Sequence, residues 1–195
     1  ETKLIQHLHS GTKLVPEVIP DLNGNIVSHY RQENKSFSVR MISFINGKPL
    51  GLVKRSSNGL FEEIGKSVGE ISKCLNGYSD PSFKRDFLWD IRNGLDIIKK
   101  YNSLIMDEEL KEIVNKIADS FRKTVLPLDE KLRKSVIYND ANDFNILMAD
   151  SGDIYQRYQR VAGVIDFGDS VYSYTAADPA VAIAYAILED ETPLI

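Results

Sequence analysis

Asp140, Asn145 and Asp166 are the residues of this chain whose types and spacing suit chemistry. They stand in Val136-Ile-Tyr-Asn-Asp-Ala-Asn-Asp-Phe-Asn-Ile-Leu147 and in Val161-Ala-Gly-Val-Ile-Asp-Phe-Gly-Asp169. Two carboxylates and an amide supply hard oxygen donors, the kind that hold Mg²⁺ against phosphate. In phosphoryl transfer an aspartate orients or accepts the proton of the attacking hydroxyl, and further oxygens hold the ions that neutralise phosphate charge. Asp140 is read as the base, and Asn145 and Asp166 as the Mg²⁺ ligands. Taken singly, each piece is ordinary: Asn139-Asp-Ala-Asn-Asp143 is an Asx-rich turn and Asp166-Phe-Gly168 a strand end stopped by glycine. Their order, and the hairpin expected between them, favours the chemical reading.

Such a trio works only if residues far apart in the chain become neighbours. Residues 146–148 are apolar and extended, Ser151-Gly152-Asp153 signals a turn, and residues 161–165 are a second apolar run, so a β-hairpin is expected. A hairpin folds its ends together and sets Asn145 beside Asp166, with Asp140 on the preceding loop. Upstream, Leu4, Ile5 and Leu8 give a first helix stopped by Gly11. Strands are expected near residues 17–19, 26–31 and 37–43, with Asp21-Leu-Asn-Gly24 as a hairpin turn. Phe44-Ile-Asn-Gly-Lys-Pro49 then breaks the pattern. From Leu60 the period is helical, and Leu60, Ile64, Val68, Ile71 and Leu75 share one face as far as Asn76-Gly77. A second helix is expected after Pro81, through Phe87, Leu88, Ile91, Leu95 and Ile98. A third spans residues 107–126, with Asp107-Glu-Glu109 at its positive end. The last, residues 176–188, carries Asp178 near its start, where a carboxylate can cap amides or brace a loop.

Asp140-x-x-x-x-Asn145, then Ile165-Asp-Phe-Gly168, then Asp178-Pro-Ala-Val-Ala-Ile-Ala-Tyr185 resembles the aminoglycoside phosphotransferase superfamily of small-molecule kinases, which also holds choline and homoserine kinases. Asn139-Asp-Ala-Asn-Asp143, Val164-Ile-Asp-Phe-Gly-Asp169 and Tyr172-Ser-Tyr174 are most similar to its hydroxylysine kinase branch, which includes members fused to class III aminotransferases. The likeness runs from Glu1 through Val15-Pro16, Gly47, Leu60-Phe-Glu-Glu-Ile-Gly65 and Trp89-Asp90 to the last helix. It implies a protein-kinase-like α+β fold. Residues 1–46 would form part of an N-terminal lobe, and residues 47–195 a mostly helical C-terminal lobe around the catalytic hairpin. The resemblance also implies ATP or GTP as donor, Mg²⁺, and a small hydroxylated amine or amino-acid-like acceptor of the hydroxylysine kind. Ser43, Phe44 and Ile45 fall where the family's hinge backbone reads the nucleotide base, a surface turn being the plain alternative. Glu1 falls where a glutamate pairs a phosphate-binding lysine, or is simply a favourable first-turn acid. Asp169 is a candidate for holding a substrate ammonium or for capping the next turn.

Two departures from the family pattern matter. Tyr138 and Asn139 stand where the family carries His and Gly. Tyr138 is expected to pack beneath the loop and bond Asp178 through its hydroxyl, the part the resemblance gives the histidine. The family also places a glycine-rich loop and a strand lysine ahead of the first helix, and neither precedes Glu1. The chain is therefore expected to be a piece of a longer protein, inactive alone, whose unpaired strand edges invite a second copy. A regulatory module that keeps the fold without turnover is the competing reading, which intact Asp140, Asn145 and Asp166 oppose.

A net charge of −4 leaves no electrostatic footprint for nucleic acid. No apolar run approaches a membrane span and no signal-peptide pattern is present, so a cytoplasmic location without membrane or nucleic-acid partners is expected. The sole cysteine, Cys74, excludes an internal disulfide and falls in a helical apolar pattern as a buried packing residue. His7, His9 and His29 lie far upstream of Asp140, and His7 and His9 do not share a helix face as metal ligands would. Lys99-Lys100 and residues 131–134 are read as solvated helix faces and ends. Tyr155-Gln-Arg-Tyr-Gln-Arg160 is read as an exposed strand, not a nucleic-acid platform.

Overall fold

Leu4, Ile5 and Leu8 are buried on one face of α1 (Thr2–Gly11), the first element of a computed structural model that describes residues 1–53, 58–153 and 157–188. That face meets α2 (Asn58–Cys74), where Leu60, Ile64, Val68 and Ile71 are buried at helical spacing, followed by Leu75. The two helices approach closely at Gly11, where a Cβ would stand 2.9 Å from Cys74 Sγ. Cys74 is half-buried, less than its apolar setting suggests, and burial still pushes its thiol pKa up.

β1 (Val18–Ile19) pairs antiparallel with β4 (Met41–Ile42), and β2 (Ser28–Gln32) with β3 (Lys35–Val39). The hairpin turn thus falls at Glu33-Asn34, with Glu33 at a φ of 53°, and not at residues 21–24 as expected. Asp21 does build a tight turn, its Oδ1 accepting from the N–H groups of Asn23 and Asn25 at 2.8 Å each, but that turn links strands with different partners. The expected strand over residues 37–43 breaks at Arg40, where the chain leaves β2 to join β1.

The central sheet is β5 (Lys48–Pro49), β7 (Ile146–Ala149) and β8 (Arg160–Val164), all antiparallel. The β7–β8 pairing matches the expected hairpin: Ile146 faces Val164 and Leu147 faces Gly163. A bulge follows, because Met148 faces Val161 and leaves Ala162 as the extra residue. Ile146, Met148, Val161 and Val164 are buried in one cluster with α1 and α2. Beside them β6 (Lys134–Ile137) pairs antiparallel with β9 (Val171–Tyr174).

The single helix expected after Pro81 is instead two 3₁₀ turns and a short helix, α3 (Gly94–Tyr101). Each break has a side chain behind it. Asp80 accepts from Ser82 N at 2.9 Å, and Asp90 from Arg92 N at 3.0 Å, so each aspartate starts a new turn. Asp90 is buried and held besides by Arg92 Nη2 at 2.6 Å and Ser173 Oγ at 2.5 Å, which pin it to β9. α4 (Glu108–Thr124) starts as expected, with Asp107 Oδ1 accepting from Glu109 N and Leu110 N. α5 (Ala177–Ala186) packs on α2. Of the aromatic and basic segment 155–160, residues 155 and 156 lie outside the described residues. Arg157 Nε bonds Asp150 at 3.0 Å and Tyr158 is half-buried, both in a turn, while Arg160 is exposed at the start of β8. No helix among the described residues is long and apolar enough to cross a membrane.

Candidate active site

The loop between β6 and β7 holds Asp140 above the core, and its shape is set by asparagines. Asn142 Oδ1 accepts from Phe144 N at 2.8 Å and Asn145 N at 3.1 Å, an Asx turn that reverses the chain. Asn142 Nδ2 donates to Asp140 Oδ1 at 2.9 Å. Asn145 Nδ2 donates to Asp140 Oδ2 at 2.6 Å and to its backbone oxygen at 3.1 Å, which leaves Asn145 Oδ1 as the oxygen to offer a cation. The Asn145 carbonyl accepts Ile165 N at 3.0 Å, so the residue before Asp166 is joined to the residue that closes the loop. The hairpin therefore brings Asp140, Asn145 and Asp166 together as its spacing suggested.

Asp140 is half-buried, and burial, with the nearby charges of Asp169 and then Asp166, pushes its carboxyl above the ordinary range despite donation from Asn142 and Asn145. Asp166 is exposed, with its Oδ1 taking Gly168 N at 3.1 Å. Its φ is 59°, and that of Asn139 is 71°, two left-handed backbones in non-glycine residues on either side of the site.

Asp178 braces the loop, though not by the contact expected. Its Oδ2 accepts from Tyr138 N at 3.1 Å and its Oδ1 from Asn139 N at 2.7 Å. The carboxyl is almost wholly buried, and burial pushes its pKa up to about 6, the two N–H donors pulling the other way. The Tyr138 hydroxyl goes elsewhere: it donates to the Ile165 carbonyl at 2.5 Å, with the ring 4.8 Å from Phe167. The phenol is too long to bend back to Asp178 from a residue whose own N–H already sits on it, so it spans the loop to the hairpin.

Other expected residues lie further off. Ser43 N donates to the Glu17 carbonyl at 2.8 Å and Ser43 Oγ accepts from Glu17 N at 2.9 Å. Phe44 is exposed, while Ile45 reaches β8. Glu1 forms an ion pair with Arg40 at 2.7 Å. Asp169 stands near Asp140, and its carbonyl accepts from Asn139 Nδ2 at 3.3 Å. Two contributors went unread. Asn142 was signalled by its Asx-rich setting, whereas nothing in the sequence pointed to Arg85, whose Nη2 holds the carbonyls of Gly168 at 2.7 Å and Ser170 at 3.0 Å.

Comparison with known proteins bears on this geometry. The phosphotransferase enzyme family matches residues 1–194. Hydroxylysine kinase of Mus musculus is 28% identical over 165 residues, covering 82% of this chain and 43% of that protein. Hydroxylysine kinase of Xenopus laevis is 31% identical over 165 residues, covering 80% and 43%. The chain thus spans less than half the length of these two relatives. Among solved structures, a microcompartment-associated aminopropanol kinase superposes with a TM-score of 0.65 at 18% identity, over 97% of this chain and 58% of that one. An amicoumacin kinase in complex with AMP-PNP, Ca²⁺ and Ami gives 0.62 at 17% identity, over 100% and 53%. The α+β architecture is therefore the kinase-like one expected.

Proposed function

We infer that this chain, which belongs to the phosphotransferase enzyme family, carries the base and metal-ligand set of a kinase that moves the γ-phosphoryl group of ATP or GTP to the hydroxyl of a small amino alcohol or amino-acid-like substrate of the hydroxylysine kind. The observation behind this is Asn145 Nδ2 held 2.6 Å from Asp140 Oδ2 while the Asn145 carbonyl takes the N–H next to Asp166. Asp140 accepts or orients the acceptor's hydroxyl proton, for which its raised pKa makes it a better base. Asn145 and Asp166 supply a neutral and an anionic oxygen to Mg²⁺.

Among the described residues no group of three His, Cys, Asp or Glu side chains could hold a metal ion by itself. Mg²⁺ keeps several waters and is bound through one or two carboxylates plus substrate phosphates. Bound there, Mg²⁺ neutralises phosphate charge during transfer. Asp178 and Tyr138 hold the loop, Asp169 takes the substrate's ammonium, and Ser43, Phe44, Ile45 and Glu1 belong to the nucleotide side, with residues 1–46 as N-terminal lobe and residues 47–195 as catalytic lobe. The names of the hydroxylysine kinase relatives and of the aminopropanol kinase support an amine-bearing acceptor.

The test is Asp140→Asn in the full-length protein, assayed against hydroxylysine, ethanolamine, choline, homoserine and aminoglycosides. Loss of the base should cut turnover by about 10²–10⁴-fold and leave Mg²⁺-nucleotide binding intact. Near-normal turnover in the variant would sink the assignment.

A further inference from the structure

Asn139 stands where the family carries glycine, and its side-chain amide joins two parts of the chain. Asn139 Nδ2 donates to the Trp89 carbonyl at 3.4 Å and to the Asp169 carbonyl at 3.3 Å, so Trp89 and Asp169 meet on one nitrogen of the residue before Asp140. A glycine has no amide to do this. Both residues are also held from outside. Arg85 Nη2 takes the carbonyls of Gly168 and Ser170, which flank Asp169, and Asp90, which follows Trp89, is buried and accepts from Ser173 Oγ on β9. The backbone around the pair is therefore fixed, yet the two side chains are unspent. Among the described residues, no hydrogen bond or ion pair involves the Asp169 carboxylate, and no hydrogen bond or ring contact involves the Trp89 indole. Arg85 does not pair with Asp169, since its guanidinium is on the two carbonyls and 4.4 Å from the Phe87 ring centroid. The indole is 69% exposed and is the sole one in the chain. A carboxylate attracts a cation at range, and an indole face holds one in contact.

We propose that Trp89 and Asp169 are the two sides of a site for the acceptor's ammonium group, with Trp89 the residue that prefers an amine to a neutral alcohol. The site rests on the reading of the chain as a kinase for an amine-bearing alcohol, and Asn139 ties it to the loop that carries the base. An acceptor held there by its amine has its hydroxyl end free for Asp140.

The test uses the full-length protein. The emission of Trp89, taken as the difference between the native protein and Trp89→Phe, is followed during titration with hydroxylysine, ethanolamine and choline, with ethylene glycol as the uncharged control. At least one of the amines should change the emission saturably, and ethylene glycol should not. Calorimetry should then show that Trp89→Leu weakens the Kd of that amine by about 3–30-fold, the range of a cation–π contact, while nucleotide affinity stays within about twofold. Trp89→Phe, which keeps a ring face, should lose less than Trp89→Leu. Both replace an exposed side chain, so the fold should be retained. No saturable change with any of the three amines, an equal change with ethylene glycol, or an unchanged Kd in Trp89→Leu would overturn the site. Failure of the functional reading looks different: an amine would bind at Trp89 with these effects, yet the native protein would transfer no phosphoryl group to it.

Discussion

Replacing Asp178 by asparagine and following urea unfolding from about pH 4 to about pH 7.5 tests the cost of the buried brace. Burial pushes the Asp178 carboxyl up to about 6, against an ordinary aspartate value of about 3.9. Between those values the native state binds more protons than the unfolded chain, so this group's contribution falls as pH rises. It is fully present below about pH 4 and lost as pH climbs through about 6, and the shift of about two units corresponds to about 3 kcal/mol. Asp90 and Asp129 are held below their ordinary values, the first by Arg92 and Ser173 against the cost of burial, the second by Lys134 and then Tyr174, and both slope the opposite way. They are present in both proteins and cancel in the difference. The stability of the native protein relative to Asp178→Asn should therefore be about 2.5 kcal/mol more favourable at about pH 4 than at about pH 7.5. A difference flat to within about 0.5 kcal/mol would refute the burial of an ionisable carboxylate there. At neutral pH the fold gives up this stability to keep two anionic oxygens under Tyr138 N and Asn139 N.

Asp166→Ala in the full-length protein should weaken Mg²⁺-dependent nucleotide binding as well as turnover, measured by titration with and without the metal. Because Asp169 helps raise the Asp140 pKa, Asp169→Asn should move the acid limb of kcat to lower pH; an unmoved limb would mean the two carboxylates do not communicate. A Cβ on Gly163 would stand 2.6 Å from Ile45 Cδ1 and 2.8 Å from the Leu14 carbonyl, so Gly163→Ala should cost about 1–3 kcal/mol in urea unfolding. Cys74, with its thiol pKa raised by burial, should react with a disulfide reagent more slowly than a free thiol until the protein unfolds.

The hairpin was legible because two apolar runs and a turn signal leave one way of burying Ile146, Met148, Val161 and Val164. Helices α1 and α2 were legible from their apolar spacing, and the start of α4 from Asp107-Glu-Glu109 at its positive end. The stretch after Pro81 was not, because Phe87, Leu88, Ile91, Leu95 and Ile98 imitate a helical stripe while Leu88 and Ile91 are exposed. What decides that stretch is Asp90, which starts a new turn at Arg92 and reaches across to Ser173, a tertiary contact that local spacing does not contain. The same limit applies to Tyr138. Its type showed that it would pack under the loop, but the partner of its hydroxyl depends on how far the phenol extends once its own N–H is fixed on Asp178.

The bulge at Ala162 divides the hairpin into two halves with different freedoms. On the inner side, Ile146 opposite Val164 and Leu147 opposite Gly163 set the separation of Asn145 and Asp166. Beyond the bulge, a gain or loss of residues toward Asp150 and Gly152 can be absorbed at the extra residue before it reaches the inner pairs. Length variation at the tip is thereby uncoupled from the chemistry at the base. A peptide tag or small reporter domain inserted near Gly152 has a route to leave the separation of the carboxylate and the amide unchanged.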